Sequence, residues 1–331
     1  MRQRIFQSPT SRAMIALLLV LLLGAIFNAD GAFFKFGTHR DTLRQASVFG
    51  ILACGMTIVI LSGGIDLSVG SVMALVSVVF SLMAIHWKWS PAVAIPASLL
   101  TGLVCGGISG LLVARFSVQP FVATLTMMVF ARGLAKTTGN GMKVSTAIQN
   151  DDGSYSYVDV PDLFRLIDSR VLWDNVSSVT LIFLACVAVS YVLLDRHVIG
   201  RYIYAIGGSE ETARFSGVSV MRVKVFAYAL SGLFAAVAGM CQAAQEQQGD
   251  PETGVGYELT AIAMVVIGGT NLMGGRGGIG LTVAGMLIIG YLEKILSINA
   301  VSEANRLMLT GVIIVAAVLM QRKHDHERLL S

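Results

Sequence analysis

The sequence predicts an all-α integral membrane protein, a polytopic helical bundle of about ten transmembrane helices. Of its 331 residues, 55% are hydrophobic and 13% are charged, whereas about 25% of the residues in a soluble domain are charged. Apolar stretches recur from residue 13 to residue 320, with one long polar interruption. Because so few charges cannot cover a water-exposed surface, lipid must solvate most of the exterior. We therefore predict a single transmembrane domain over residues 1–331.

Ten apolar segments are candidates for the crossings: residues 12–30, 46–61, 69–87, 91–113, 118–135, 176–194, 225–245, 259–269, 278–296 and 307–320. A helical crossing needs about 20 residues, so the second and eighth segments are short. The first segment follows three arginines, as in a secretory signal peptide. No Ala-x-Ala cleavage site comes after it, so we expect an uncleaved helix.

Basic residues predict the orientation, because Lys and Arg concentrate in cytoplasmic loops. They fall in the N-terminal tail, in the segment 195–224 and in the C-terminal tail: Arg2, Arg4, Arg12, Arg196, Arg201, Arg214, Arg222, Lys224, Arg322, Lys323 and Arg328. An even number of crossings places all three regions, and hence both termini, in the cytoplasm. Three residues disagree, because the same count places Lys35, Arg40 and Arg44 outside.

The long polar interruption, residues 137–175, is rich in aspartate and falls on the extracytoplasmic side. The pair Asp152–Gly153 and the alternation around Tyr155 and Tyr157 predict a short β-hairpin. This loop is either a lid or docking surface for an external partner, or a simple connector.

Several classes of function find no support. The four cysteines lie in apolar stretches without a Cys-x-x-Cys pair, which indicates neither a disulfide framework nor a metal site. The histidines are scattered, apart from His324 and His326 on the terminal tail, and no catalytic constellation emerges. No Gly-Lys pair occurs, so a Walker A loop for ATP is absent. Residues 275–280 match Gly-x-Gly-x-x-Gly formally, but they lack the soluble βαβ context of a dinucleotide site. We predict a chain that is not an enzyme and binds no metal.

A glycine motif occurs twice, in residues 62–70 and 267–275, and both copies read Gly-Gly-x-Asp/Asn-Leu-x-x-Gly. Irregular backbone survives in a membrane only if protein buries it or it lines a wet cavity. Glycine-interrupted spans in corresponding halves indicate a transport pathway. The candidate gate residues are Gly63, Gly64, Asp66, Gly268, Gly269, Thr270 and Asn271. Alternatively, both motifs are plain turns in which Asp66 or Asn271 caps the next helix.

A short charged helix is predicted within the cytoplasmic segment. Ser209 is a good N-cap, Glu210 and Glu211 suit the first turn, and Gly217 can end the helix. Such a helix suits docking of a soluble partner.

The residues Glu211-Thr212-Ala213-x-x-x-Gly217 resemble the Glu-Ala-Ala-x-x-x-Gly coupling motif of ABC importer permeases. The wider pattern resembles the ribose-type sugar permease family, whose substrates include ribose, xylose, arabinose, galactose and galactofuranose. The blocks that carry this likeness are residues 55–60, 62–70, 119–125 and 267–275. Thr212 and the lack of a downstream Leu-Pro depart from the wider coupling motif.

The resemblance implies the membrane subunit of a binding-protein-dependent importer, which carries a monosaccharide across the bacterial inner membrane. A periplasmic sugar-binding protein would deliver the substrate, and two permease chains, identical or sisters, would form the pathway. A cytoplasmic ATPase with two nucleotide-binding halves would bind the ATP and Mg²⁺, so this chain itself binds no cofactor. In that picture Ser209, Glu210, Glu211, Ala213 and Gly217 belong to the helix that couples the permease to the ATPase.

An ion-coupled secondary transporter of a small polar solute is the alternative, and it would require intramembrane carboxylates. Candidates are Asp66, Glu258 and Glu293, although Glu293 stands beside Lys294 and is expected to form an interfacial ion pair.

Two further features concern the helices themselves. Gln242, Gln245 and Glu246 lie at helical spacing at the outer end of the seventh span, where they either contact sugar or the binding protein or form a polar helix end. Gly102, Gly106 and Gly110 recur every four residues, which predicts close packing against another helix.

Overall fold

The computed structural model describes residues 8–149, 153–312 and 315. Most of these residues are helical. The helices are α1 (Pro9–Ile26), α2 (Phe36–Leu61), α3 (Val69–Ser81), α4 (Pro91–Arg115), α5 (Pro120–Thr138), α6 (Asp162–Ile167), α7 (Ser178–Tyr191), α8 (Val198–Gly208), α9 (Glu210–Phe215), α10 (Val220–Glu246), α11 (Tyr257–Gly268) and α12 (Ile279–Ile298). A 3₁₀ turn (Ala32–Phe34) precedes α2, and π-helical turns extend α3 (Leu82–His86) and α7 (Val192–Arg196). Residues 303–312, named here the terminal segment, are also helical.

Seven helices in the described part of the chain are long and apolar enough to cross a membrane. They are α1, α2, α3 with its π turn, α4, α7 with its π turn, α10 and α12. These helices coincide with seven of the ten predicted segments, and the prediction of a polytopic helical membrane protein is confirmed. Of the other three, α5 carries Arg132 and Lys136, and α11 has only 12 residues. The last one, residues 307–320, falls largely outside the described residues.

The second span is not short, which corrects the expectation from apolar residues alone. Helix α2 has 26 residues, because the polar stretch before the apolar segment is helical too. Arg44 on this stretch donates to both carboxylate oxygens of Asp168, at 2.8 and 2.7 Å. Ion pairing of this kind allows a helix to continue beyond its apolar part.

The same contacts explain why the basic residues before the second span disagree with the positive-inside pattern. Arg40 donates to the carbonyl of Asp174 at 2.7 Å, and Arg170 pairs with Asp41 at 3.2 Å. The beginning of α2 and the acid-rich segment therefore lie at the same end of the bundle. Arg40 and Arg44 thus bond to the acid-rich segment, through a backbone carbonyl and a carboxylate respectively, so these two residues do not require the cytoplasmic side.

The segment 137–175 contains the predicted hairpin. Strands β1 (Ala147–Gln149) and β2 (Tyr155–Tyr157) pair antiparallel, with Ile148 opposite Ser156. Asp152 of the predicted turn lies outside the described residues. A second small pair, β3 (Arg170–Val171) and β4 (Val176–Ser177), leads into α7.

Helix α4 packs on α10 with the two backbones in contact, as the glycine spacing predicts. A methyl group at Gly102 would overlap the backbone of Gly232, and one at Gly106 would overlap the backbone of Tyr228. Absence of side chains thus lets the two helices approach closely, which is a general device of helix packing in lipid. Gly55 on α2 contacts the neighbouring Ser231 in the same way.

Candidate functional site

The first glycine motif forms a tight turn between α2 and α3. Gly63 has φ +81°, a left-handed conformation that favours glycine. Asp66 follows in the turn, and its side chain is completely buried. The turn therefore places a carboxylate inside the protein, close to the ends of two helices.

Three donors hold the Asp66 carboxylate. Its Oδ1 accepts from the backbone nitrogen of Ser68 at 3.0 Å and from the Ser68 hydroxyl at 2.6 Å, and its Oδ2 accepts from the Ser231 hydroxyl at 2.8 Å. The bonds to Ser68 satisfy an amide at the start of α3, while the bond to Ser231 ties the turn to α10. A buried charged group needs such partners, because burial without them is costly.

The second glycine motif closes on itself between α11 and α12. Gly269 has φ +112° and ends α11. Asn271 accepts from the backbone nitrogen of Met273 at 2.9 Å through its side chain, and its own backbone nitrogen donates to the carbonyl of Arg276 at 2.9 Å. The N-cap of α12 is Gly278, so Asn271 stabilises the loop and does not cap the helix. Thr270 is completely buried.

The two motifs meet at the end of α8, in a contact made of backbone. The nitrogen of Gly275 donates to the carbonyl of Leu61 at 3.1 Å. A methyl group at Gly274 would lie 3.0 Å from the Cα atoms of both Gly207 and Gly63. We name this contact the glycine junction, and it consists of Gly63, Gly207, Gly208, Gly274 and Gly275.

Space at Gly207, Gly274 and Gly275 admits little besides glycine, whereas a methyl group at Gly208 would meet no atom within 4 Å. A methyl group at Gly207 would overlap the carbonyl of Leu61 and the nitrogen of Gly275. Gly274 and Gly275 also have positive φ angles, +90° and +69°. Sequence reasoning had found both motifs but missed Gly207 and Gly208. The signal was a third Gly-Gly pair, immediately before Ser209.

A side chain reinforces the junction. The Tyr204 hydroxyl on α8 donates to the carbonyl of Gly277 at 3.0 Å. Burial raises the pKa of Tyr204 above its ordinary value, and the nearby charge of Asp195 raises it further. The phenol therefore keeps its proton and remains a donor at neutral pH.

Helix α9 forms directly after the junction, with the predicted cap and first turn. The Ser209 side chain accepts from the nitrogen of Thr212 at 3.3 Å. Glu210 bonds Arg214 at 2.9 Å and Lys224 at 2.5 Å, which fixes α9 to α10.

Within α9 the predicted residues have different surroundings. Ala213 is buried, whereas Glu211 is exposed. Gly217 follows the helix with φ +82°. Phe215 is 83% exposed, and Met273 of the second motif is 82% exposed. This end of the bundle thus presents apolar side chains beside exposed charges.

The polar residues at the end of α10 lie at the opposite end of the bundle, beside the start of α2. Gln242 donates to Glu246 at 2.6 Å, and Gln245 donates to the carbonyl of Arg44 at 3.3 Å. Gln245 therefore links two helices, whereas Glu246 is exposed.

Glu258 and Glu293, the two other candidate intramembrane carboxylates, have different surroundings. Glu258 packs against the backbone of α3 near Gly70. Glu293 forms no ion pair with Lys294 among the described residues, which corrects the expectation. Adjacent residues on a helix point in different directions, so the side chains of Glu293 and Lys294 do not face each other. Within the described ranges, no group of His, Cys, Asp and Glu residues could hold a metal ion.

Comparison with known proteins gives a consistent result. Residues 40–318 match the family described as the permease component of the branched-chain amino acid transport system. The chain is 38% identical over 308 residues to the ribose import permease protein RbsC of Haemophilus influenzae, and the match covers 93% of this chain and 91% of that protein. The chain belongs to the ribose-type family of ABC import permeases. The resemblance found in the sequence is thereby confirmed.

Other relatives of the permease are named for different sugars. The L-arabinose transport system permease protein AraH of Escherichia coli is 35% identical over 276 residues, covering 83% of this chain and 80% of that protein. The fructose import permease protein FruG of Bifidobacterium longum is 34% identical over 317 residues, covering 95% and 90%. No solved structure matches the chain. Family membership and the seven apolar helices place the permease in the bacterial inner membrane as a multi-pass protein.

Proposed function

We propose that the permease carries a monosaccharide across the inner membrane, as one of two permease chains in an ABC importer. A periplasmic binding protein delivers the sugar, and ATP with Mg²⁺ is bound and hydrolysed on a cytoplasmic ATPase. The family description names branched-chain amino acids, but relatives that match most of this chain are named for ribose, arabinose and fructose. A sugar is therefore the substrate class that we assign.

The glycine junction is the observation that carries the mechanism. Helix α9 joins α8 at Ser209, and α8 ends in Gly207 and Gly208, which contact both motifs through backbone atoms. A displacement of α9 by the ATPase would therefore move the ends of α2 and α11 without an intervening flexible side chain. We assign α9 as the coupling helix and the two motifs as the gate.

The same assignment fixes the proposed topology. The segment 195–224 and both termini lie in the cytoplasm, and the segment 137–175 lies on the periplasmic side. We retain about ten crossings, which counts α5, α11 and the terminal segment as part of the membrane domain. The exposed Glu211 and Phe215 then face the ATPase.

Reconstitution tests this function. Proteoliposomes that contain the permease, its ATPase and its binding protein are expected to take up one of D-ribose, L-arabinose or D-fructose when ATP is present. Leucine serves as the control substrate, and it should not enter. Uptake of leucine in preference to every sugar would contradict the sugar assignment. Uptake by the permease alone under a proton gradient would instead establish the ion-coupled alternative.

A further inference from the structure

Two adjoining cavities of about 90 and 250 Å³ lie between α2, α11, α12 and the terminal segment. They share Phe49, Glu293 and Arg306 in their walls, and we name them together the outer cavity. Their combined size is near the lower end of the range of about 300–1,000 Å³ for small-molecule sites. None of the gate or coupling residues lines this space.

Glu293 and Arg306 carry opposite charges in the outer cavity, but they form no ion pair with each other. Among the described residues, the Glu293 carboxylate makes no hydrogen bond and no ion pair within 4 Å. The Nε atom of Arg306 is buried and also lacks a hydrogen-bond partner there. Buried polar groups are normally hydrogen-bonded, so the buried Nε atom of Arg306 points to a polar ligand in the cavity. The Glu293 carboxylate is partly exposed in the same cavity and offers that ligand an acceptor.

The remaining walls carry two further charged residues, Lys294 and Glu303, together with aromatic rings and uncharged polar groups. The rings of Phe49 and Tyr257 lie 4.3 Å apart between centroids, with a tilt of 40°. Gln45, Thr260 and Thr310 add amide and hydroxyl groups. A monosaccharide presents hydroxyls that both donate and accept, together with an apolar C–H face. Carboxylate, guanidinium and aromatic groups complement these features.

The position of the cavity also fits a transport path. Phe49 lies 12 residues before the end of α2, or about 18 Å along the helix from the glycine junction. On the junction side of the cavity, Thr57 on α2 and Thr282 on α12 are buried and bonded at 2.6 Å, which joins the two helices there. Helices α2 and α11 both run from the cavity to the junction, so the same helices contact the ligand and the gate.

We propose that the outer cavity binds a monosaccharide, with Glu293 and Arg306 holding its hydroxyl groups and Phe49 and Tyr257 lying against its apolar face. This site rests on the proposed function and deepens it, because it gives the permease a substrate contact of its own. The sugar occupies the cavity after leaving the binding protein and before the contact between Thr57 and Thr282 opens.

Protection of a cysteine from labelling tests the site in the complete importer. Thr260→Cys places a thiol in the cavity, while Ala304→Cys places one on the terminal segment outside it. The native cysteines are buried and supply a low background. D-ribose, L-arabinose, D-fructose and leucine are tested separately at about 100 mM, far above a millimolar dissociation constant.

The transported sugar is expected to slow labelling of Thr260→Cys by a small maleimide by about a hundredfold, as for a site whose dissociation constant is about one hundredth of the ligand concentration. Labelling of Ala304→Cys should not change. Adding Glu293→Gln to Thr260→Cys should abolish the protection, whereas adding Glu252→Gln, an exposed residue outside the cavity, should preserve it.

Each other outcome overturns a different statement. A sugar that is taken up by the importer but does not protect Thr260→Cys would exclude the cavity site and leave the proposed function intact. Protection by leucine alone would assign the site to an amino acid. If no sugar is taken up at all, the proposed function fails, and the sugar site fails with it.

Discussion

The nitrogen of Gly275 donates a hydrogen bond of 3.1 Å to the carbonyl of Leu61. These two residues belong to different halves of the chain: Leu61 directly precedes the first copy of the glycine motif, and Gly275 is the last residue of the second copy. Gly207 fills the space beside this bond so closely that a methyl group there would overlap both partners. The end of α8 is thereby held against both motifs, which makes the junction the most restrictive point between α9 and the proposed gate.

The glycine junction predicts different effects for two neighbouring glycines. Gly207→Ala should destabilise the permease by about 1–3 kcal/mol, since the new methyl group overpacks the site, and ATP-driven uptake should fall sharply. Gly208→Ala is the matched control, because no atom lies within 4 Å of the added methyl group. Thermal unfolding in detergent and uptake in proteoliposomes measure the two effects. Equal stability and equal uptake in both variants would show that the backbone contacts at Gly207 leave room for a methyl group.

The hydrogen bonds of the Asp66 carboxylate predict that its removal lowers the stability of the permease. Asp66→Ala removes three hydrogen bonds and leaves Ser68 and Ser231 without their acceptor. Loss of a hydrogen bond to a charged group costs about 1.5–3 kcal/mol, so the unfolding temperature should fall clearly. Asp159→Ala, at an exposed position of the segment 137–175, should leave it unchanged. A stable Asp66→Ala variant would argue that the carboxylate is not needed to hold the turn on α10.

The exposed side of α9 predicts that a substitution there weakens binding of the ATPase without changing the stability of the permease. Glu211 is exposed and forms no described side-chain bond, so Glu211→Arg should preserve membrane insertion and thermal stability. If α9 docks on the ATPase, affinity should fall by about tenfold, equivalent to about 1.4 kcal/mol. Binding of the ATPase to immobilised permease measures this. Glu210→Ala differs, because it breaks the bonds to Arg214 and Lys224 and should loosen α9 itself. Unchanged affinity in Glu211→Arg would exclude the exposed face from docking.

The ion pair between Arg44 and Asp168 predicts that loss of the pair loosens the segment 137–175. Asp168→Asn weakens a bidentate, half-buried ion pair, whose bonds are among the stronger ones in proteins. The segment that includes α6 and β3 should then open more often, and trypsin should cleave faster after Arg165 and Arg170. Asp159→Asn is the control, and it should not alter the cleavage rate. Equal rates in both variants would show that the ion pair does not hold the segment.

Much of this arrangement was accessible from local sequence. The cap and acidic first turn of α9 depend on residues three or four apart, and the glycine motifs on runs of nine, so neighbours in the sequence suffice to predict them. The spacing of Gly102, Gly106 and Gly110 likewise indicated a close helix contact. In each case the residues whose pattern indicates the feature lie within one segment.

The parts that escaped prediction depend on partners far along the chain. Helix α2 was expected to be short because its first turns are polar, but Asp168 pairs with Arg44 and satisfies them. Glu293 was expected to pair with its neighbour Lys294, yet it faces Arg306 from another helix. Gly207 was not predicted to have a role, because only the fold brings it to Gly63 and Gly274. Contacts between residues so far apart in the sequence cannot be predicted from a local pattern.

The contact between α4 and α10 has a consequence for how the bundle can rearrange. Gly232 lies against Gly102 and Gly106, and the adjacent Ser231 lies against Gly55 of α2. Interlocked backbones cannot slide past one another without first separating, so these three helices act as one rigid body. A displacement that moves the end of α2 is therefore expected to carry α4 and α10 with it. Asp66, bonded to Ser231, ties the turn after α2 to the same body.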